Sequence, residues 1–187
     1  MDIGETLYVS TGEEWRSWLQ GHRERSSEIW LVSYRKAVGR PSLPYDVAVK
    51  EALCFGWIDS IRKSLDKDRY AQRFTPRRPG SGYSQTNLER LARLMEAGRV
   101  SEHVVAEIGD ARPEDYQTPD DIATALRANP AAWENWLRFS PSYRRIRAAY
   151  VGWAREQGED CEKRLTTLVE RTAEGKQFGY GIEEFYT

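Results

Sequence analysis

Strand-like segments occur only in the first half of this chain, and from about residue 101 onward the apolar residues recur at helical spacing. That asymmetry restricts the fold to a small α+β region followed by an all-helical one. Residues 6–9 are short and β-prone. Thr11-Gly-Glu-Glu14 then has the form of a capping box, and Trp15, Trp18 and Leu19 follow at helical spacing. Glu28-Ile-Trp-Leu-Val-Ser-Tyr34 is rich in β-branched and aromatic residues and predicts a buried strand. Tyr45, Ala48, Val49, Ala52 and Leu53 mark one face of a helix that Gly56 can end. Residues 57–65 and 70–75 predict antiparallel strands joined around Asp66-Lys67-Asp68, with Pro76 and Pro79 closing the second. Ser84 precedes a helix bearing Leu88, Leu91, Leu94 and Met95, which Gly98 ends. The expected domain over residues 1–100 is therefore α+β, with packed helices on a small, mainly antiparallel sheet of three to four strands.

Residues 101–175 read as a helical extension. Thr118-Pro-Asp-Asp121, Asn129-Pro130 and Ser140-Pro141 each set a capping side chain next to a proline at a first helical turn. The helices they start carry Ile122/Ala125/Leu126, Trp133/Trp136/Leu137 and Ile146/Ala149/Tyr150/Trp153, and a last one around Leu165, Leu168 and Val169 ends at Gly175. Residues 106–118 are the most linker-like stretch. The aromatic tail, residues 176–187, either docks or stays mobile. The helical half is expected to pack on the sheet domain or to pair with a second copy as a homodimer.

With 187 residues, the chain is long enough to bury a core without a metal or a disulfide. Charged residues make up 30%, yet the 7 Trp, 10 Tyr and 5 Phe are more aromatic side chains than a disordered chain carries. No apolar run approaches the ~20 residues of a membrane helix. The acidic Met1-Asp-Ile-Gly-Glu5 does not read as a secretory signal, so the expected location is cytoplasmic. Cys54 and Cys161 form no C-x-x-C pair, which leaves no zinc or redox motif and predicts two reduced thiols. Neither a cofactor nor a metal is expected.

The formal net charge of −1 supplies no global basic field, which makes nucleic acid an unfavoured partner. Locally the balance differs. Arg62, Lys63, Lys67, Arg69, Arg73, Arg77 and Arg78 face only Asp66 and Asp68 between residues 61 and 80, and Trp57, Tyr70, Phe74 and Tyr83 interleave with them. Strand alternation puts Tyr70, Gln72 and Phe74 on one face and Arg69, Ala71, Arg73 and Thr75 on the other. The following loop, residues 76–84, leads into a helix N-terminus whose first amides lack internal partners. Guanidinium forks beside it match carboxylate or phosphate geometry. The candidate ligand-binding set is accordingly Trp57, Asp59, Arg62, Tyr70, Arg73, Arg77, Arg78, Tyr83, Ser84 and Asn87, for an anionic small molecule or an acidic protein surface. The plainer alternative is a solvated hairpin face that pairs with the acidic remainder of the chain.

Catalytic signatures are sparse. The two histidines, His22 and His103, sit near helix ends, and no G-x-S-x-G, H-E-x-x-H or phosphate-loop motif occurs. Cys54, between Leu53 and Phe55 at a helix C-terminus, reads as an unreactive core residue. Asp59 is the acid of most interest, with Arg62, Lys63 and Arg73 expected near it across the hairpin. It is a structural ion-pair partner, a binding residue, or the acid/base of an enzyme whose arginines stabilise developing negative charge. A single-stranded nucleic-acid binder using the basic, aromatic hairpin is a further alternative.

The stretch from Tyr45-Asp-Val-Ala-Val-Lys-Glu-Ala-Leu-Cys-Phe-Gly-Trp-Ile-Asp59 to Arg69-Tyr-Ala-Gln-Arg-Phe-Thr-Pro-Arg-Arg78 resembles the YdeI/OmpD-associated, or bacteriocin-protection, family. Asn129-Pro-Ala-Ala-Trp133 and Pro141-Ser-Tyr-Arg-Arg145 are similar to the helical second half of that family, so the resemblance spans most of residues 12–175. Where the family pattern continues with an Arg-Ser-Asn-Trp-Ser type segment, this chain has Gly80-Ser-Gly-Tyr-Ser84, with tyrosine in place of the usual tryptophan. The resemblance implies a soluble bacterial protein tied to stress response and antimicrobial-peptide resistance. It implies no established catalytic reaction.

Overall fold

A computed structural model describes residues 2–78, 80–158 and 160–186. Pro79, expected to close the second hairpin strand, and Thr187 of the tail lie outside the described residues. The chain divides into two compact units. The sheet unit comprises the residues up to Gly82 together with Arg93–Gly109, and the helical unit comprises Tyr83–Ala92 together with Asp110 and the residues after it. The boundary falls inside helix α3 (Gln85–Glu96), whose first part groups with the helical unit and whose end groups with the sheet unit.

In the sheet unit, strand β2 (Ile29–Tyr34) is buried from Ile29 through Ser33, on both faces, as an interior strand must be. It pairs with the short β1 (Thr6–Leu7) in parallel and with β4 (Arg69–Pro76) antiparallel, and β3 (Trp57–Ser64) pairs antiparallel with the far side of β4. The order is β1-β2-β4-β3, a four-stranded sheet with one parallel pairing. Helix α1 (Gly12–His22) starts at the capping box read from the sequence: the Glu14 amide donates to Thr11 Oγ1 at 3.2 Å, and the Thr11 amide donates to the Glu14 carboxylate at 3.1 Å. Backbone amides of Ser10 and Thr11 hold that carboxyl below the usual carboxylate range.

Trp15, fully buried, ties α1 to the rest of this unit. Its indole N–H donates to the Ala48 carbonyl of α2 (Tyr45–Cys54) at 3.0 Å, and its ring meets Phe74 of β4 edge-on at 5.4 Å. Both helices therefore cover the sheet face that carries Phe74. Losing such a ring from a packed core costs about 3–5 kcal/mol. Glu51 on α2 is 4% exposed and pairs with Arg16 at 2.9 Å and with Arg99, so its burial is compensated by two guanidinium groups. Helix α4 (Glu102–Ile108) is anchored by Ser101, whose amide and hydroxyl both donate to the Cys54 carbonyl, at 2.9 and 2.7 Å.

A register slip between Asp59 and Arg62 positions the hairpin's charge. Asp59 stands opposite Phe74, but Arg62 stands opposite Gln72, so β3 carries one extra residue there. Strict alternation from Asp59 would send Arg62 to the opposite face, and the bulge returns it to the same one. The Gln72 side chain donates to the freed Ser60 carbonyl at 3.3 Å.

The helical unit contains α5 (Asp120–Arg127), α6 (Pro130–Arg138), α7 (Pro141–Glu156) and α8 (Cys161–Ala173). The Asn129 and Ser140 caps form as the sequence predicts, accepting from the amides of Ala132 and Tyr143 at 3.1 Å each, with proline in the first turn of both helices. Ile122, Leu126, Trp136, Val151 and Leu168 make its core. The tail is docked. Ile182 and Phe185 are buried with Tyr143 and Ile146, and the Phe178 amide donates to the Tyr143 hydroxyl at 3.0 Å. Among the described residues no helix is long and apolar enough to cross a membrane.

Candidate functional site

The hairpin residues singled out in the sequence are divided among several jobs. Trp57 is 1% exposed and meets Trp18 edge-on at 5.7 Å, which makes it core. The Asp59 carboxylate accepts from the Tyr45 hydroxyl at 2.7 Å. Arg73 is directed to the other face of the sheet, opposite Trp30, where its Nε donates to Glu28 at 2.7 Å. The Trp30 indole also donates to Glu28, at 3.1 Å, and these bonds hold the Glu28 carboxyl below its ordinary range. Arg77 shapes its own loop: its amide donates to the Gly56 carbonyl at 2.8 Å and its guanidinium to the Ser81 and Gly82 carbonyls at 3.0 and 2.8 Å. Arg78 is exposed, and its carbonyl accepts from the Ser81 hydroxyl at 2.7 Å.

Arg62 and Tyr70 are brought together. The guanidinium lies 5.1 Å from the ring centroid, and with Arg35 and Ser64 the two residues line a pocket of about 270 Å³. Arg35 donates to the Ser64 hydroxyl at 3.0 Å. The four lining side chains include two guanidinium groups and no carboxylate. Arg35 was not singled out in the sequence, since it stands after β2 and far from the hairpin. The β2–β4 pairing, which sets Tyr34 opposite Arg69, carries it there.

Tyr83, Ser84 and Asn87 belong to the helical unit. The Ser84 hydroxyl accepts from the Asn87 amide at 3.3 Å, and the Asn87 side chain accepts from Arg90 at 3.4 Å, so both help to form the start of α3. Tyr83 and Ser84 also line a larger cavity of about 750 Å³, opposite Tyr116, Tyr150, Gly152 and Trp153. Its charged lining is balanced, with Arg112 and Arg155 against Asp115 and Glu156. Arg155 is further paired with Asp121. Gln85 lines the same cavity and donates to the Pro113 carbonyl at 2.8 Å and to Glu89 at 3.0 Å. Glu89 is 3% exposed and receives both arms of Arg145, at 2.6 and 2.9 Å. Burial alone would raise the Glu89 carboxyl, but the hydrogen bonds from Arg145, Ser142 and Gln85 override it and hold it below the usual range. Burial pushes the Tyr116 hydroxyl up.

Neither histidine lines either of these two cavities. His22 stacks on Trp18 with centroids 4.8 Å apart. His103 contacts the Ser101 hydroxyl at 3.0 Å and the Arg23 guanidinium, and burial together with that positive neighbour lowers its pKa. Cys54 is fully buried, and that burial pushes its thiol pKa up. Among the described residues no group of three or more His, Cys, Asp or Glu side chains is placed to hold a metal ion.

Comparison with known proteins divides the chain in a similar way. Residues 7–107 match the family model of a domain of unknown function, DUF8412. Residues 115–175 match the model described as bacteriocin-protection, YdeI or OmpD-associated, which bears out the resemblance seen in the sequence. The match to that second model lies in the helical half, whereas the motifs of residues 45–78 fall in the stretch covered by the first. No curated protein and no solved structure matches the chain.

Proposed function

The chain belongs to the family of the domain of unknown function DUF8412, and we propose that it is a non-enzymatic cytoplasmic binding protein of the bacteriocin-protection type that holds an anionic group in the pocket of Arg35, Arg62, Ser64 and Tyr70. The observation that carries this reading is the pairing of two guanidinium groups around one pocket whose lining holds no carboxylate. Arg73 and Arg69 of the same strand have carboxylate partners, Glu28 and Asp66, whereas the pocket leaves its two positive charges to be neutralised by a ligand. The Ser64 hydroxyl, which donates to the Asp66 carbonyl at 3.0 Å and accepts from Arg35, holds that guanidinium in place, and the Tyr70 ring adds a flat wall. The ligand is then a small molecule or an acidic peptide that presents a phosphate or carboxylate. Asp59 stands outside this pocket, with Tyr45 as its partner, so an acid/base role for it has no arginine to work with there.

Titration of the full chain with inorganic phosphate and with citrate, followed by calorimetry, tests the reading. Arg62→Ala is expected to weaken binding by about tenfold, the worth of one charge-assisted hydrogen bond. Arg73→Ala, on the other face, is expected to leave it unchanged. Equal losses in the two variants, or none in Arg62→Ala, contradict the assignment. A single-stranded oligonucleotide that binds more tightly than either anion and is released steeply by salt supports the nucleic-acid reading instead.

A further inference from the structure

We infer that the cavity of the helical unit is a second ligand site, for a flat, uncharged, mainly apolar small molecule, and that Gly152 keeps it open. Its volume of about 750 Å³ lies within the range of sites that enclose drug-sized ligands, roughly 300–1,000 Å³. Aromatic side chains wall it, and they are not shielded as core rings are: Trp153 is 49% exposed and Tyr150 43%. One half-exposed ring is ordinary on a surface, but two beside one concavity have the character of a binding wall.

The glycine is an independent observation. Gly152 lies within α7, a 16-residue helix, where glycine costs about 1 kcal/mol relative to alanine. Its φ is not among the positive values, so the backbone does not demand glycine. A Cβ placed there would meet only the Tyr116 hydroxyl, at 3.5 Å, an ordinary contact. Neither conformation nor packing explains the residue. What a larger side chain would take up is the space of the cavity that Gly152 and Tyr116 both line.

The charge of the ligand follows from the walls. A cation is the usual partner of an open aromatic face, but here Arg164 already lies 4.1 Å from the Tyr150 centroid and 5.5 Å from that of Trp153. Arg147, 6% exposed, approaches the Tyr150 ring as well, at 4.8 Å. The lining itself offers an anion no unmatched charge, since its Arg112 and Arg155 are balanced by Asp115 and Glu156. A neutral molecule loses no ionic hydration on entering and gains the apolar contact.

The test uses three fluorescent probes on the full chain: neutral N-phenyl-1-naphthylamine, anionic 1-anilinonaphthalene-8-sulfonate and cationic thioflavin T. The neutral probe is expected to bind saturably at one site. Gly152→Leu should weaken it about tenfold or more by overfilling the cavity. Trp153→Ala, which removes a half-exposed ring and spares the fold, should weaken it roughly two- to tenfold. Gly152→Ala should raise Tm by about 2–4 °C while lowering affinity, which separates a helix effect from a ligand effect. Absence of saturable neutral binding, tighter binding of either charged probe, or unchanged affinity in both Gly152→Leu and Trp153→Ala overturns the inference.

Discussion

The hairpin pocket and the helical cavity differ first in how their charge is balanced. In the sheet unit, two guanidinium groups and a hydroxyl surround about 270 Å³ with no acid among them. In the helical unit, two arginines and two acids line about 750 Å³ whose remaining wall includes Tyr83, Tyr116, Tyr150 and Trp153. The contrast arises from local construction. A β-hairpin projects alternate side chains to one face, and a single bulge is enough to gather like charges there. Packed helices meet along apolar stripes, and a hollow between them inherits aromatic walls and a charge-paired rim. The two proposals follow that contrast, an anion for the first site and a flat neutral molecule for the second.

The largest effect expected from a single change lies below the cavity wall. Glu89→Ala strips Arg145 of its buried partner and frees Gln85, which lines the cavity, and it should cost about 3 kcal/mol or more. Thermal unfolding of the variant should show a marked loss of Tm. Binding of the neutral probe should be lost, while phosphate binding at the hairpin persists below the transition. If both ligands are lost together at temperatures where the variant is folded, the two sites are not distinct.

A smaller effect sharpens the contrast through pH. His103 in the sheet unit has its pKa lowered from 6.5, so its contribution is complete above pH 6.5 and fades as pH falls below that value. Glu89 in the helical unit is lowered from 4.5, so its contribution is complete above pH 4.5 and fades only below that. Amide hydrogen exchange, read residue by residue, should therefore show α1 and α4 losing protection first, as the pH falls below 6.5, while α3 and α7 keep theirs until the pH falls under 4.5. The reverse order contradicts these assignments.

Much of the backbone was legible because single residues decide it. Thr11 with Glu14, Asn129 with Pro130, and Ser140 with Pro141 start their helices where the sequence places them, and Gly56 and Gly98 take the positive φ that follows a helix end. The two long hairpin strands followed from alternation. The parallel seat of β1 against β2 did not, since it depends on the Thr6–Trp30 pairing rather than on any local pattern. The site was less legible still. The bulge that returns Arg62 to the face of Asp59 leaves no periodic trace, and Arg35 reaches the pocket only through strand pairing. Residues 106–118 read as the most linker-like stretch, yet Pro113 is buried and Tyr116 forms part of the cavity wall. Tyr150 and Trp153 fall on an apolar helical stripe, and spacing alone does not distinguish a ring in the core from one lining a hollow. Gly152, set in that same stripe without a turn, was the available signal.

Separate chemistry in two separate places is tested most directly by amide NMR of the full chain during two titrations, one with inorganic phosphate and one with N-phenyl-1-naphthylamine. The account predicts that phosphate shifts the amides of Arg35, Arg62, Ser64 and Tyr70, and that the neutral probe shifts those of Tyr83, Tyr116, Gly152 and Trp153. Shifts of one common set by both molecules, or the two sets exchanged, would contradict it.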